Sequence, residues 1–515
     1  MILSDQPSAT IGEPDGAVIG AADYLAWLQD PSAKPVLLIK AWPLINGVPT
    51  LITMGTRTFP IAATGAPTQT HYPGICRLGS AVQESLALQG GAGKLSAGDI
   101  EIDNVDGSRD GWLNYVWSNC PVEMYFGDLL WDAGSFKLVF AGQAASNLDS
   151  RDRDVLNIKL RDKMDRLNMP VTEVKLGGAT TNKDEVLPLP FGEVHNMTPL
   201  LESEADLTYR VSLGRVRQIS EVRDNGVPVG FIPYPLIGQF KLTQAPVGTI
   251  TCSVMGDETG GVYVSTIADV IERLVTTYGN VNTRFSAAEI DRTSFDTFDA
   301  RVPYLIGYNV DGRTNTSSAC QDIAASVGAQ LVPTRDGKLR LLQVQLPPPG
   351  PIVDIPETWI AQETNGRSTL RIAERPEVAP AVKLGFAKNW TVQEGLQTSL
   401  PAEHIDLYAT EFLTETSVDA TVQSLYKLSA DPTQQNGYLM RRVDAAVEAL
   451  RQRNLYKVQR TVFEFTGEAP CLQFELGSSV RLFSSRFSLS EGVEGMVIGF
   501  KPDWQNRKVV MQVIV

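Results

Sequence analysis

The sequence predicts a mainly β, multidomain protein with α+β insertions, and three observations carry that expectation. A pattern of strand, turn, strand, polar loop, strand occurs twice, once in Pro121–Asp128 with residues 136–142 and 155–160, and again at the end in residues 479–483, 495–500 and 509–515. Within these tracts apolar and polar residues alternate: Leu156, Ile158 and Leu160 share one face, Asn157 and Lys159 the other, as a half-buried strand requires. A chain of 515 residues also exceeds one domain and at typical domain sizes divides into about three to five.

Taken in order, residues 1–34 read as an arm of small residues, Pro and Asp with one apolar patch, Tyr24-Leu25-Ala26-Trp27-Leu28, that docks on a neighbour or on the chain's own core. Strand signals begin at Val36, and Asn46-Gly47 marks a tight turn before a partner strand over residues 50–54. Residues 35–180 form a first β domain, closing in a short helical piece at 161–167, and the Gly- and polar-rich stretch 177–184 marks a junction. Residues 185–346 read as a central mixed α+β domain. Strands are expected at 207–213, 218–223 and 239–243. A first helix is capped by Ser265 or Thr266, carries Ile267, Val270, Ile271, Leu274 and Tyr278, and stops at Gly279. A second starts near Ser317-Ser318, puts Cys320, Ile323, Ala324 and Val327 on one face, and stops at Gly328. A hairpin follows over 330–342. Residues 347–369, opening on Pro347-Pro348-Pro349-Gly350-Pro351, are a stiff linker and connection. Residues 370–515 form a second β domain with one long amphipathic helix over 437–454. Its apolar stripe is expected to be Leu439, Val443, Val447 and Leu450, with Arg441, Arg442, Arg451 and Arg453 making it locally basic.

Composition narrows the function classes. A net charge of −14 opposes sequence-independent gripping of a phosphate backbone but suits a surface past which DNA slides. Five scattered cysteines, Cys76, Cys120, Cys252, Cys320 and Cys471, form no CxxC pair and suit a reducing compartment. Cys320 reads as a core residue. No signal-peptide pattern and no run of 18 apolar residues is present, so no membrane span is expected.

The three histidines, His71, His195 and His404, lie in no metal-ligating spacing. No nucleophile elbow, P-loop or dinucleotide fingerprint occurs, and Gly90-Gly91-Ala92-Gly93-Lys94 reads as a flexible loop. The tract from Asp103 to Gly111 misses the calcium-loop pattern and reads as a turn held by its own Asp and Asn side chains. No carboxylate pair stands out. The sequence therefore assigns no catalytic, cofactor-binding or metal-binding residue, and the expected protein is not an enzyme.

Several tracts together resemble the tail hub proteins of long-tailed double-stranded DNA bacteriophages. They are Gly98-Asp99-Ile100-Glu101-Ile102-Asp103-Asn104-Val105-Asp106-Gly107, the Trp117 tract into Pro121-Val122-Glu123, Phe140-Ala141-Gly142, Pro190-Phe191-Gly192, Asp224-Asn225-Gly226, and the closing run Arg486 to Gly492 with Gly495, Gly499 and Asp503-Trp504. The resemblance implies a structural virion protein at the distal end of the tail, made in the host cytoplasm. Such a hub is a homotrimer whose subunits each give two tube-like antiparallel β-barrels, near 35–180 and 370–515, adapting a sixfold tube to a threefold tip. It implies as partners the distal tail or tube-end protein, the tape measure protein and other tail-tip or fibre proteins, with DNA passing the lumen unbound during ejection. No cofactor is implied. Two other classes stand beside it: a receptor- or carbohydrate-binding tip protein, using Trp112, Trp117 and Trp131 as a platform, and a wall-degrading tail enzyme using paired carboxylates.

Overall fold

The computed structural model describes residues 21–59, 71–80, 82–88, 94–96, 98–393, 396, 401–429 and 431–515. Most of the expected arm (residues 1–20), the glycine loop at 90–93 and the side chain of His404 lie outside that description. The protein is mainly β and multidomain, as its alternating tracts predict.

The apolar patch at Tyr24 to Leu28 lies in helix α1 (Ala21–Gln29) and docks on the chain's own core, with Leu28 buried. The first sheet uses β1 (Pro35–Ala41), β2 (Ile52–Gly55), β3 (Cys76–Ser80), β4 (Asp99–Asp103), β5 (Pro121–Asp128), β6 (Lys137–Ala144) and β7 (Val155–Asp162) in the order β2-β1-β5-β6-β7-β4-β3. All these pairs are antiparallel. The sheet curls until its edges meet, where Gly55 bridges Gly74 and Phe59 bridges Tyr72. Close backbone approach there explains the glycine: a Cβ on Gly74 would lie 2.5 Å from the Thr58 nitrogen. Asn46-Gly47 turns a separate two-residue hairpin before β2, and the short helical piece is a 3₁₀ turn over Lys163–Leu167.

The central region holds β8 (Leu189–Met197), β9 (Val216–Asp224), β10 (Ile250–Asp257) and β11 (Gly307–Val310) in the order β9-β10-β8-β11. The expected strand at 207–213 is shorter, Thr208–Arg210, and joins a second small sheet with Gln239–Leu242. Helix α2 (Ile267–Thr277) is capped by Thr266, whose hydroxyl accepts from the Asp269 N–H. Its stripe packs with α3 (Arg292–Arg301) and α4 (Thr316–Ala325) in one apolar cluster. Helix α4 begins before the expected Ser317-Ser318 because the Asn315 side chain, not a serine, caps it by accepting from the Ser318 N–H. Cys320 is fully buried there. The expected hairpin forms from β12 (Ala329–Pro333) and β13 (Leu339–Gln343).

The last region contains β14 (Val353–Ile355), β15 (Arg371–Glu374), the antiparallel pair β16 (Ala381–Phe386) and β17 (Leu413–Val418), helix α5 (Arg442–Tyr456), β18 (Val462–Gly467), β19 (Ser479–Leu482), β20 (Val493–Asp503) and β21 (Lys508–Ile514). Its main sheet runs β14-β19-β20-β21-β18-β15. Matched one to one with β1-β5-β6-β7-β4-β3, the strands occupy the same places and follow one another along the chain in the same order. Each module also places a 3₁₀ turn before its three-strand meander, Asp110–Asn114 in the first and Ala469–Gln473 in the second. Among the six matched strands the direction differs at one place, β1 running antiparallel to β5 whereas β14 runs parallel to β19, and the first sheet adds β2 beyond β1. The repeated pattern in the sequence is thus a repeated plan of six strands.

Helix α5 corrects the expected amphipathic helix. It starts at Arg442 rather than Gly437, and its expected stripe faces solvent: Val443 is 71 % exposed, Val447 49 % and Leu450 42 %, while Leu439 is buried ahead of the helix. The inward face is Ala445, Glu448, Ala449, Gln452, Leu455 and Tyr456. Small side chains let the helix lie close to β16 and β17, and the buried Glu448 is paired, so polarity does not bar it from the core.

Candidate functional site at the junction of the modules

The two modules share one apolar core that runs from Leu28 through Ile158 to Ile514. Three segments lock them together. Helix α1 is the first. Trp27 donates from Nε1 to Asp128 Oδ2 at 2.9 Å, and its ring lies 5.3 Å from Phe126 and 4.5 Å from Trp131, all in the first module. The Lys34 and Leu130 N–H groups also donate to the Asp128 carboxylate, which is 4 % exposed. From the second module, Arg507 reaches the carbonyls at and just past the C-terminal end of α1, bonding those of Leu28 and Asp30. Trp504 sets its ring 5.0 Å from Phe126.

The second segment is Gln83–Ser85, which leaves the first module and pairs with β20 at Gly499 and Phe500. The third is the β12–β13 hairpin. Gln330 caps the crossing strand with both ends of its amide, accepting from the Ala87 N–H at 3.0 Å and donating to its carbonyl at 2.8 Å. Arg335 at the hairpin turn lies over the rings of Phe500 and Trp504 at 4.5 and 5.3 Å and donates to the carbonyls of Leu472 and Phe474. Arg340 bonds Asp291 at 2.7 Å and Glu475 at 3.1 Å.

Glu84 faces this basic cluster. Burial, opposed by Arg335 and Arg340 and reinforced by Glu475 and Asp162, pushes its carboxyl up to about 7. Burial also raises Asp162. Beside it Glu289 goes the other way: burial is overcome by the Ser286 backbone N–H, Arg166 and Lys163, which hold it down at about 2. The junction is therefore a charged but internally compensated seam. It is suited to fixing two rigid bodies; the two best-formed depressions, beside Tyr456 and beside Glu84, have room for only about 30 and 10 Å³.

The residues scanned for chemistry do not converge. His195 sits in β8 with Nε2 3.6 Å from Glu193, and burial lowers its pKa; His71 lies at the edge of the first module. All five cysteines are free and buried, and burial pushes the thiols of Cys76 and Cys471 up to about 12. Among the described residues no group of three or more His, Cys, Asp or Glu side chains is placed to hold a metal ion. The acidic turn is held as expected: Asn104 bonds Asp110 and the Arg109 N–H, and Asp106 accepts from Ser108. Trp117 is fully buried with its Nε1 on the Trp112 carbonyl, whereas Trp131 packs on Trp27 at the other end of β5. The three tryptophans form no single platform. No helix among the described residues is long and apolar enough to cross a membrane.

Sequence reading missed Asp128, Arg335, Glu84 and Arg507. Each is an ordinary charged residue in a strand or turn, and only the distant chain segment it meets gives it a role.

No protein-family model and no curated protein matches the chain. Among solved structures, it is similar to a chain of the native gene transfer agent virion (13 % identity over 68 % of this chain and 90 % of that one, TM-score 0.42). It is also similar to the 43 kDa tail protein of prophage MuSo2 from Shewanella oneidensis (11 % identity, 93 % and 98 % covered, TM-score 0.34). A third is prophage tail protein gp18 from Listeria monocytogenes EGD-e (8 % identity, 89 % and 94 % covered, TM-score 0.37).

Proposed function

We propose that this chain is a structural tail protein of a long-tailed phage virion, a trimeric hub joining the tail tube to the tip, without catalysis of its own. The observation that carries the reading is the six-strand plan used twice in one chain and fixed at a rigid seam. Three such chains present six equivalent β-modules, which is what a threefold part needs in order to sit under a sixfold tube. The first module lies in residues 35–180, the second takes its strands from between Val353 and Ile514 and so begins inside the stretch expected as a linker, and residues 185–346 form the body between them. The acidic balance supports a lumen that DNA passes without sticking. Partners on this reading are the distal tail or tube-end protein, the tape measure protein and other tip or fibre proteins.

Light scattering on the purified chain, alone and mixed with its tube-end partner, with negative-stain images, tests this. A particle of three times 56.1 kDa with a central hole is expected. A chain that stays monomeric with the partner present overturns it.

A further inference from the structure

The small sheet of the central region runs Leu200–Ser203, Thr208–Arg210, Gln239–Leu242, Phe231–Tyr234, so Phe231–Tyr234 lies at its edge. Its inner face is closed: Phe240 is fully buried, with its ring 5.2 Å from Tyr209 and 5.9 Å from Phe231. Beyond Phe231 the chain reads Ile232-Pro233-Tyr234-Pro235-Leu236-Ile237, with no charged residue, and five of these six face solvent. Ile232 is 47 % exposed, Tyr234 42 %, Leu236 67 % and Ile237 51 %. A contiguous exposed run of this kind marks an interaction surface. Its backbone is fixed. Two prolines set their own φ angles. The turn Pro235–Ile237 ends at Gly238, which is left-handed (φ 63°) and so closely packed that a Cβ would lie 2.5 Å from the Gly214 carbonyl oxygen. Arg210 donates to the Ile237 carbonyl at 2.7 Å, and the Val211 N–H to that of Gly238 at 2.9 Å.

The edge does not invite a further strand. The Thr243 N–H bonds the Gly230 carbonyl, and the alternation from that pair turns Phe231 and Pro233 toward the open side. Pro233 has no N–H to give there, so main-chain pairing stops at it. The run also lines neither of the two best-formed depressions, where an anchoring side chain of a protein partner would seat. Its rim is basic. Arg210 pairs with Glu202 and Lys241 with Asp206, while Arg215 and Arg217, next along the chain from Gly214, share the carboxylate of Glu258. Four cations thus meet three carboxylates. Residues 207–243 hold five basic and two acidic side chains in a protein whose net charge is −14, so this face is the one that approaches an anionic surface most readily.

We propose that residues 232–237 insert into the interface of an anionic lipid bilayer. Leu236 and Ile237 enter the outer ends of the acyl chains, Tyr234 stands at headgroup level, and Arg215, Arg217 and Lys241 meet the lipid phosphates. A bilayer needs neither a paired strand nor a pocket, and it takes up apolar side chains offered by a rigid turn. The contact holds whether or not the chain is a hub.

Sedimentation of the full chain with vesicles of equal parts phosphatidylglycerol and phosphatidylcholine tests this. The unaltered chain is expected to bind. Leu236→Asp together with Ile237→Asp should weaken binding at least about tenfold and leave the melting temperature unchanged, since both side chains face solvent. Val447→Ser, on the outer face of α5, should bind as the unaltered chain does. A polarity-sensitive dye reads the insertion directly, because all five native thiols are buried and an introduced one takes the label. On Leu236→Cys it should brighten and shift to the blue with vesicles; on Val105→Cys, 70 % exposed between acidic neighbours, it should not. No binding to the vesicles, or binding unaltered by the double aspartate variant, overturns the proposal, as does an equal loss in Val447→Ser. A Leu236 dye that responds to the tube-end partner and not to vesicles also overturns it and assigns the run to a protein.

Discussion

Asp128 shows how much one side chain decides in this protein. Its carboxylate takes N–H groups from Trp27, Lys34 and Leu130, so it fixes both the helix that enters the junction and the turn that leaves β5. Trp27→Ala removes that bond together with ring packing on Phe126 and Trp131, and is expected to cost about 3–5 kcal/mol, read as a fall in the denaturant midpoint. Glu84 gives the junction a pH dependence. Its folded-state pKa of about 7 lies above the ordinary 4.5, so the folded chain binds the proton more tightly. The stability this contributes is complete below about pH 4.5 and is lost as pH rises through about 7. Glu84→Gln keeps the shape without the charge. It should raise the melting temperature at pH 8 by roughly 2–4 °C, leave it nearly unchanged at pH 5, and flatten the profile between. An equal shift at both pH values would show that Glu84 is charged in the folded chain throughout.

At the scale of elements, helix α5 is the instructive case. A 3.6-residue pattern marks a face but not which face the fold covers, and here the covered face is Ala445, Ala449 and the paired Glu448. Val447→Ser on the outer face is therefore expected to change stability by no more than about 0.5 kcal/mol. Ala449→Leu, at a position with 0 % exposure, should cost about 1–3 kcal/mol by overpacking. Glu448→Ala should cost about 3–5 kcal/mol because it strands Arg451, which also holds the Val327 and Val344 carbonyls. Chemical denaturation of the three variants checks the order; a Val447→Ser cost equal to that of Ala449→Leu would put the buried face on the wrong side. The strands and central helices were easier to read. The cap at Thr266, the stop at Gly279 and the apolar face Leu156, Ile158 and Leu160 of β7 are local signals, and local hydrogen bonding and period 2 suffice to place them. Asn157, expected on the wet face with Lys159, is instead buried because its side chain donates to the buried Asp99 across the sheet.

For the whole molecule, the repeated plan is the feature from which the rest follows. Two modules held by one core and three crossing segments should unfold as one unit. Calorimetry of the full chain is expected to show the two modules melting together, and deletion of Ala21–Gln29, which uncovers the turn at Ala469–Gln473 and releases Arg507, should split that transition in two. A chain whose modules already melt separately would count against the rigid seam on which the hub reading depends.

The sequence by itself determined the strands, the two meanders and their likeness, the capped helices, the linker prolines and the resemblance to tail hubs, because each is written in a local period, a turn residue or a short ordered motif. The tertiary structure alone decided that the two meanders belong to matching six-strand sheets, that α1 closes one against the other, that α5 buries the face of Ala445, Glu448 and Ala449 rather than its valines, and that Glu84, Asp128, Arg335 and Arg507 form the seam. Those outcomes depend on which segments, hundreds of residues apart, exclude water between them, and long-range desolvation leaves no periodic trace in the chain.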